Sequence, residues 1–422
     1  MKTLVIICAA ALLLIHAAQG QAVWRPFSSD SPWNQKVPAG ARTDPNSAAM
    51  IDSLTKGEFN INIDDWSIPV YYIDADTVPR VKVLNSRPGI YGRGFADVTL
   101  VPILPSFIAS PPVGEESDNH MSVVDTTKKL EWGMWATRRN KEGQWTTGLG
   151  ALTNLGGTGV EKPWYEQDRD LDAHRGRASG FPLIAGLIRP EEISAGKIDH
   201  ALVFACQRGR SEFFVPPAST AQETFMEMSN AFGIPMGGRI QLDPAINVDT
   251  LPITPACKVI ARALQEYGAF NGDYAGATVL YADNSPRALK LWKGVLKQDD
   301  FRQLFTPEFM RRHLRVIELG QLLPGQNLAG CEVGFVAFSF TGADRVSIDW
   351  LKRRITCVVA SSADLEHVKP LFQTVRKNST VFVGETIQES GRSVVDLRGE
   401  TVYAVEVRGV GKASWTVIVL RE

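Results

Sequence analysis

Short runs of β-branched and aromatic residues, cut every few positions by glycine or proline, restrict this chain to a β-rich fold. Its 422 residues include 36 glycines and 24 prolines, far more punctuation than a helical bundle accommodates. Strands are expected over Val70–Ile73, Asp97–Val101, His120–Val124, Leu130–Ala136, Ala201–Ala205 and Ala277–Tyr281. Helices have readable starts and stops. Asp44-Pro45 opens one that closes before Gly57, and Thr254-Pro255 opens another that Gly268 stops. Pro190–Ala195 reads as a short helix, Thr220–Phe232 as a longer one, and Lys297–Leu323 as helical and charged.

The texture changes at Pro324-Gly325-Gln326-Asn327. Beyond it come seven short, mostly alternating segments: Val333–Phe340, Arg345–Ile348, Ile355–Val359, Val381–Val383, Ser393–Leu397, Val402–Val407 and Ser414–Leu420. The expected fold is mainly β. A large β-sandwich or jelly-roll-like domain with inserted short helices spans residues 21–324, and a smaller all-β sandwich of accessory character spans 325–422.

Residues 1–20 read as a signal peptide. Met1-Lys2 is a short basic start, Thr3–Ile15 is an apolar run too short to span a bilayer, and Ala18-Gln19-Gly20 is a small-residue cleavage site. The mature chain is thus expected to be secreted and extracellular, with no later membrane span. Cys8 leaves with the signal, and Cys206, Cys257, Cys331 and Cys357 remain. An even count in an oxidising compartment allows two disulfides; Cys206–Cys257 and Cys331–Cys357 keep each bridge inside one domain. Asn378-Ser379-Thr380 is a glycosylation sequon, meaningful in a eukaryotic source. The 45 basic and 46 acidic residues leave a formal charge of −1, without the basic surplus that a nucleic-acid binder uses to displace counterions.

Three histidines, His120, His174 and His200, fall close together in the first domain, each with acidic neighbours: Asp118 and Asp125, Asp170 and Asp172, and Asp199. A carboxylate beside an imidazole orients and tunes it for proton transfer near neutral pH, although a satisfied, half-buried histidine is the plain structural alternative for each. Strand alternation puts His120 and Ser122 on one face, and Glu131 and Trp135 on one face with Trp132 and Met134 on the other. An acid and an indole together suit a sugar groove; an ordinary amphipathic strand gives the same pattern. His200 shares its expected face with Leu202, Phe204 and Cys206, so Asp199 and His200 stand as alternatives. The run from His174 to Leu183 carries Arg175 and Arg177 between glycines. Those guanidiniums could neutralise a carboxylate or sulfate, or pair in solvent with Asp168–Asp172.

Metal chemistry finds little footing. No His-x-His or His-Glu-x-x-His occurs, and Asp168–Asp172 lacks the glycine and terminal glutamate of an EF-hand, leaving a structural calcium as the one cation that run accommodates. No cofactor is otherwise expected. Gly156–Gly159 lacks the Lys-Ser/Thr of a phosphate loop, and no Gly-x-Ser-x-Gly nucleophile elbow is present.

Several segments together resemble a group of secreted, β-rich proteins common in soil actinobacteria: Ser31-Pro32-Trp33-Asn34, the run from His120 to Asp125, the run from Ser179 to Glu192, Ile198–Leu202, Ile240–Pro244 and Ala261–Ala269. The resemblance covers roughly residues 28 to 285, and it implies an extracellular β-rich domain without implying an activity.

Function is expected to be that of a carbohydrate-active enzyme cleaving an extracellular polysaccharide by lyase or glycosidase chemistry. His120, Glu131, His174, Arg177 and Asp199 or His200 are its candidate catalytic groups, and Trp132, Trp135 and Arg175 its candidate substrate contacts. The alternative is a non-catalytic secreted carbohydrate-binding, matrix or adhesion protein using the same aromatics. The expected partner is a polysaccharide, with no nucleic acid and no membrane.

Overall fold

A computed structural model describes residues 23–87, 95, 100–111, 118–167, 176–221 and 230–422. The signal segment, residues 97–99 of the expected strand ending at Val101, the Asp168–Asp172 run, His174, Arg175 and residues 222–229 of the expected 220–232 helix lie outside the described residues. The fold is mainly β, with several sheets and a few short helices.

The organising element is a mixed six-stranded sheet, in the order Phe59–Asn62, Thr278–Tyr281, Leu202–Ala205, Ala269–Asp273, Arg239–Leu242 and Leu314–Val316. Its strands are buried on both faces, so side-chain alternation sorts them into two cores. Leu202, Phe204, Cys206, Leu280 and Ala282 point to one side, where they pack with residues of the helices Ser47–Leu54, Pro255–Glu266, Pro286–Trp292 and Pro307–His313. Val203, Ala205, Val279 and Tyr281 point to the other, against Trp33, Phe181 and Leu183. The helices start as their sequences dictate. Thr254, Ser285 and Thr306 each accept a backbone N–H three residues on, and each is followed by proline in the first turn.

A four-stranded sheet lies beyond that second core, in the order Leu149–Asn154, Leu130–Trp135, Met121–Asp125 and Val70–Tyr72. Between the two sheets runs Gly176–Pro190, every residue of it buried. Glycines admit it on both sides. A Cβ on Gly133 would lie 3.3 Å from Leu183 Cγ, and one on Gly186, at φ +64°, would lie 2.4 Å from the backbone nitrogen of Val203. The solvated-loop alternative therefore does not hold for Arg177 and the residues that follow it; 176–190 is interior.

Past Pro324 the described strands pair only with one another: Phe335–Ser339 with Leu371–Thr374, and a six-stranded sheet running Ala343–Asp349, Arg354–Val359, Gly411–Arg421, Thr401–Val407, Ser379–Val383 and Thr386–Ile387. Phe335, Trp350, Tyr403 and Trp415 meet edge to face at its centre. This core is continuous with the first body. Phe213–Phe214 pairs with Leu323–Pro324, and Trp164 Nε1 donates to the Pro324 carbonyl at 2.8 Å.

Three local expectations are corrected. Lys297–Leu323 is not one helix: Pro307–His313 is helical, and Leu314–Val316, with Leu314 and Val316 buried on either side of Arg315, adds to the sheet edge beside Arg239–Leu242. Ser393–Leu397 makes one bridge, Val368 to Val395, and is not a strand, while Leu371–Thr374 and Thr386–Ile387 are strands without a strong sequence signal. The disulfides are absent: Cys206, Cys257, Cys331 and Cys357 are free and buried. Cys206 and Cys257 do share the helix-side core, and Cys331 and Cys357 the other, but as apolar packing groups. Cys257 engages the Thr254 hydroxyl, and Cys331 Sγ donates to the Gln326 carbonyl at 3.5 Å. Cysteine parity speaks to compartment chemistry and carries no geometry. Asn378 sits in an exposed turn before Ser379–Val383.

Candidate functional site

The two sheets and the buried segment between them bring polar side chains from five stretches of chain together. Leu130–Trp135 directs Glu131, Gly133 and Trp135 at the interior segment and sends Trp132 and Met134 into a separate core with Met121 and Val123. Glu131 is fully buried, and Ser122 Oγ donates to its Oε1 at 2.6 Å. The Ile184 N–H donates to the same oxygen at 2.8 Å. Oε2 has no partner among the described residues. Burial pushes this carboxyl up to about 7, against the opposing pull of the Ser122 hydroxyl, the Ile184 N–H, Arg177 and the Leu183 N–H.

Arg177, 2% exposed, enters from the interior segment. Its Nη2 donates to the Leu183 carbonyl at 3.1 Å, and its guanidinium carbon lies 4.3 Å from the ring centre of Tyr281. Its Nε and Nη1 are buried with no partner among the described residues. The Tyr281 phenol is held protonated well above its ordinary range, chiefly by burial.

Asp273 arrives through a bulge. Pairing between Leu202–Ala205 and Ala269–Asp273 slips by one residue, from Phe204 opposite Asn271 to Ala205 opposite Asp273, with Gly272 as the extra residue. The slip reverses the alternation and turns Asp273 to the Phe270 face, toward Arg177. Burial raises its carboxyl to about 7; Arg177 opposes that, and Asp118 adds to it.

His120 precedes Met121–Asp125 in a lead-in clamped by three backbone bonds: Ala136 N–H to the Asp118 carbonyl at 2.7 Å, Thr137 N–H to Asn119 at 3.1 Å, and Ser110 N–H to His120 at 2.8 Å. Its imidazole is buried with Nδ1 unpartnered among the described residues. Burial drives it down to about 4; Asp118 opposes and Arg177 reinforces the shift, so it is neutral at pH 7. Trp135 Nε1 donates to Asp118 Oδ1 at 3.1 Å, and the Arg87 guanidinium carbon lies 4.7 Å from its ring centre. Asp118, Trp135 and Asp273 are half-buried, the least enclosed members of the cluster.

The cluster thus unites His120, Glu131 and Arg177, with Trp135 at its rim. Asp199 and His200 are elsewhere. Asp199 is on the surface, paired with Lys197 at 2.7 Å. His200 Nε2 contacts Glu192 Oε1 at 2.9 Å, and Arg189 Nη2 donates to that same oxygen at 2.5 Å, in a separate buried network. Trp132 is buried on the far face of its strand and cannot border the cluster. His174 and Arg175 lie outside the described residues. Sequence reasoning missed Asp273, Tyr281 and the contact to Ser122. The Asn-Gly-Asp ending of a buried strand was the available signal for Asp273, because an acid closing an interior strand must find polar company.

No group of three or more histidine, cysteine or acidic side chains among the described residues is arranged to hold a metal ion, and no described helix is long and apolar enough to cross a membrane. Neither a known family model nor a curated protein matches the chain. Among solved structures, a putative glycoside hydrolase from Bacteroides thetaiotaomicron matches with 19% identity and a TM-score of 0.19. The match covers 23% of this chain and 27% of that one, so this chain spans about a quarter of the length of that neighbour.

Proposed function

We propose that the protein is a secreted carbohydrate-active enzyme that cleaves glycosidic bonds of an extracellular polysaccharide, with Glu131, Asp273, Arg177 and His120 as its reaction centre. The observation that carries this reading is the fully buried Glu131 carboxyl, whose Oε1 accepts from two donors while Oε2 is unpartnered among the described residues. Burial raises this carboxyl to about 7, and a proton it holds there is best carried on Oε2. An oxygen leaving a sugar needs such a donor, an acid still protonated at neutral pH. Asp273 supplies the second carboxyl that glycoside hydrolysis requires, activating water when ionised. Elimination is a second route, supported by His120: a neutral imidazole with a free Nδ1 can take a proton from carbon while Arg177 stabilises the charge that develops.

The test is a panel of neutral and acidic polysaccharides incubated with purified protein. New reducing ends are measured alongside the ultraviolet absorbance of an unsaturated uronate. Hydrolysis yields reducing ends alone, and elimination yields both. E131Q should lose at least about a hundredfold in rate, the ordinary contribution of one general acid. Binding to a polysaccharide without any chain shortening would return the protein to the class of binding or adhesion modules.

A further inference from the structure

Arg177 is an anomaly for a group so deeply buried. A guanidinium removed from water is costly unless its donors are met, and effective penalties run to several kcal/mol. Among the described residues only Nη2 is engaged, by one carbonyl, while Nε and Nη1 are buried without a partner. The neighbouring described acids sense Arg177 electrostatically, yet the hydrogen bond it makes among the described residues goes to the Leu183 carbonyl. Buried donors left open among the described residues call for a further partner, and a bound ligand meets that need.

We infer that Arg177 is the seat of a substrate carboxylate, so that the sugar taken into the cluster is a uronic acid. This rests on reading the cluster as a carbohydrate site. One cation suits one negative charge, and the surrounding groups are arranged to accept it. The described ionisable groups facing Arg177 are Asp118, His120, Glu131, Asp273 and Tyr281. Below neutrality Glu131 and Asp273 are protonated, so they do not compete for the guanidinium, and each can donate a hydrogen bond to an incoming carboxylate. Glu131 Oε2 is unpartnered and available for this. As pH rises past about 7, both become anions beside Arg177 and repel an acidic ligand. A sulfate ester is a weaker fit: it is too weak a base to share a proton with these carboxyls.

The experiment is calorimetric titration of the whole protein with glucuronate, glucuronate methyl ester and glucose 6-sulfate at pH 6 and pH 8.5. Glucuronate should bind at least about tenfold more tightly than the ester at pH 6, the worth of one charge-assisted hydrogen bond. Its affinity should fall by a similar factor at pH 8.5, and R177M should abolish the preference for the acid. Equal binding of acid and ester, tighter binding of the sulfate, or affinity that does not change with pH would overturn the inference. The acid–ester comparison uses the wild-type chain, so it stands even if R177M fails to fold. A protein that prefers glucuronate but shortens no polysaccharide refutes the proposed activity and keeps this seat. One that shortens a neutral polysaccharide and binds acid and ester alike does the reverse.

Discussion

Replacing Glu131 with glutamine should make the protein more stable at alkaline pH while removing its activity. The carboxyl ordinarily titrates at 4.5 and here is raised to about 7. A folded state that holds a proton more tightly than the unfolded chain loses stability as pH climbs from the unfolded value through the folded one. The wild type therefore has the full benefit below pH 4.5, and the whole penalty of an ionised, buried Glu131 above about 7. At ~1.4 kcal/mol for each tenfold in proton affinity, that penalty is about 3 kcal/mol. The glutamine of E131Q cannot ionise, and its geometry matches the protonated acid. The amide oxygen takes the place of Oε1, accepting from Ser122 and Ile184, while the amide nitrogen occupies the unpartnered Oε2 position. Asp273 contributes alike to both proteins, since Glu131 is not among the causes of its shift. Equilibrium unfolding in denaturant at pH 5, 6, 7 and 8 measures the difference directly. E131Q minus wild type should be about 1 kcal/mol at pH 5 and grow to about 3 kcal/mol by pH 8. A difference that does not change with pH, or a variant less stable than wild type at pH 8, would refute the buried-acid account.

Three further outcomes follow from the same geometry. Hydrolytic cleavage should peak near pH 7, falling above it as Glu131 loses its proton and below it as Asp273 gains one; a rate still climbing at high pH excludes Glu131 as the acid. Burial pushes the thiols of Cys206 and Cys357 up to about 12 and that of Cys257 to about 11. Alkylation should thus label none of these three in the native protein and all of them after unfolding without reductant, and mass spectrometry showing label only after reduction would restore the disulfides. Glu192→Ala should cost about 3–5 kcal/mol, because Arg189 and His200 are left buried without their shared partner; a loss under about 1 kcal/mol in chemical unfolding would show that water replaces the carboxylate.

How much of this was legible beforehand follows from which interactions are local. Period-two alternation along 130–135 already separated Glu131 and Trp135 from Trp132, because a strand's faces depend on nothing beyond the strand. Prolines and hydroxyl caps marked helix starts for the same reason. What sequence could not supply was proximity between distant stretches. Asp273 follows His120 by more than a hundred positions, and only a one-residue slip opposite Ala205 turns it inward. Sequence adjacency misled in the opposite direction. Asp199 is next to His200, yet it pairs with Lys197 on the surface while His200 reaches back to Glu192. The interior path of Gly176–Pro190 was equally hidden: arginine and glycine read as surface punctuation until both flanking sheets are in place.

Glu131 and Glu192 show why burial alone does not identify a working site. Both are buried glutamates, and burial raises the pKa of each. Glu192 nonetheless titrates at about 2, because Arg189 and His200 bond its Oε1 directly and the Arg189 N–H donates to its Oε2 at 3.1 Å. Both oxygens are engaged, the charge is fixed, and nothing remains for a ligand. Its stabilising contribution is complete above pH 4.5 and is lost as pH falls toward 2, a range in which it has no proton to offer a substrate near neutrality. Glu131 has two donors on one oxygen and no described partner on the other, with its cation held at a distance. Left incomplete, it costs the fold stability at neutral pH and keeps a mobile proton there. Of the two buried glutamates, the saturated one holds the chain together, and the unsaturated one is the group to which the proposed function assigns the chemistry.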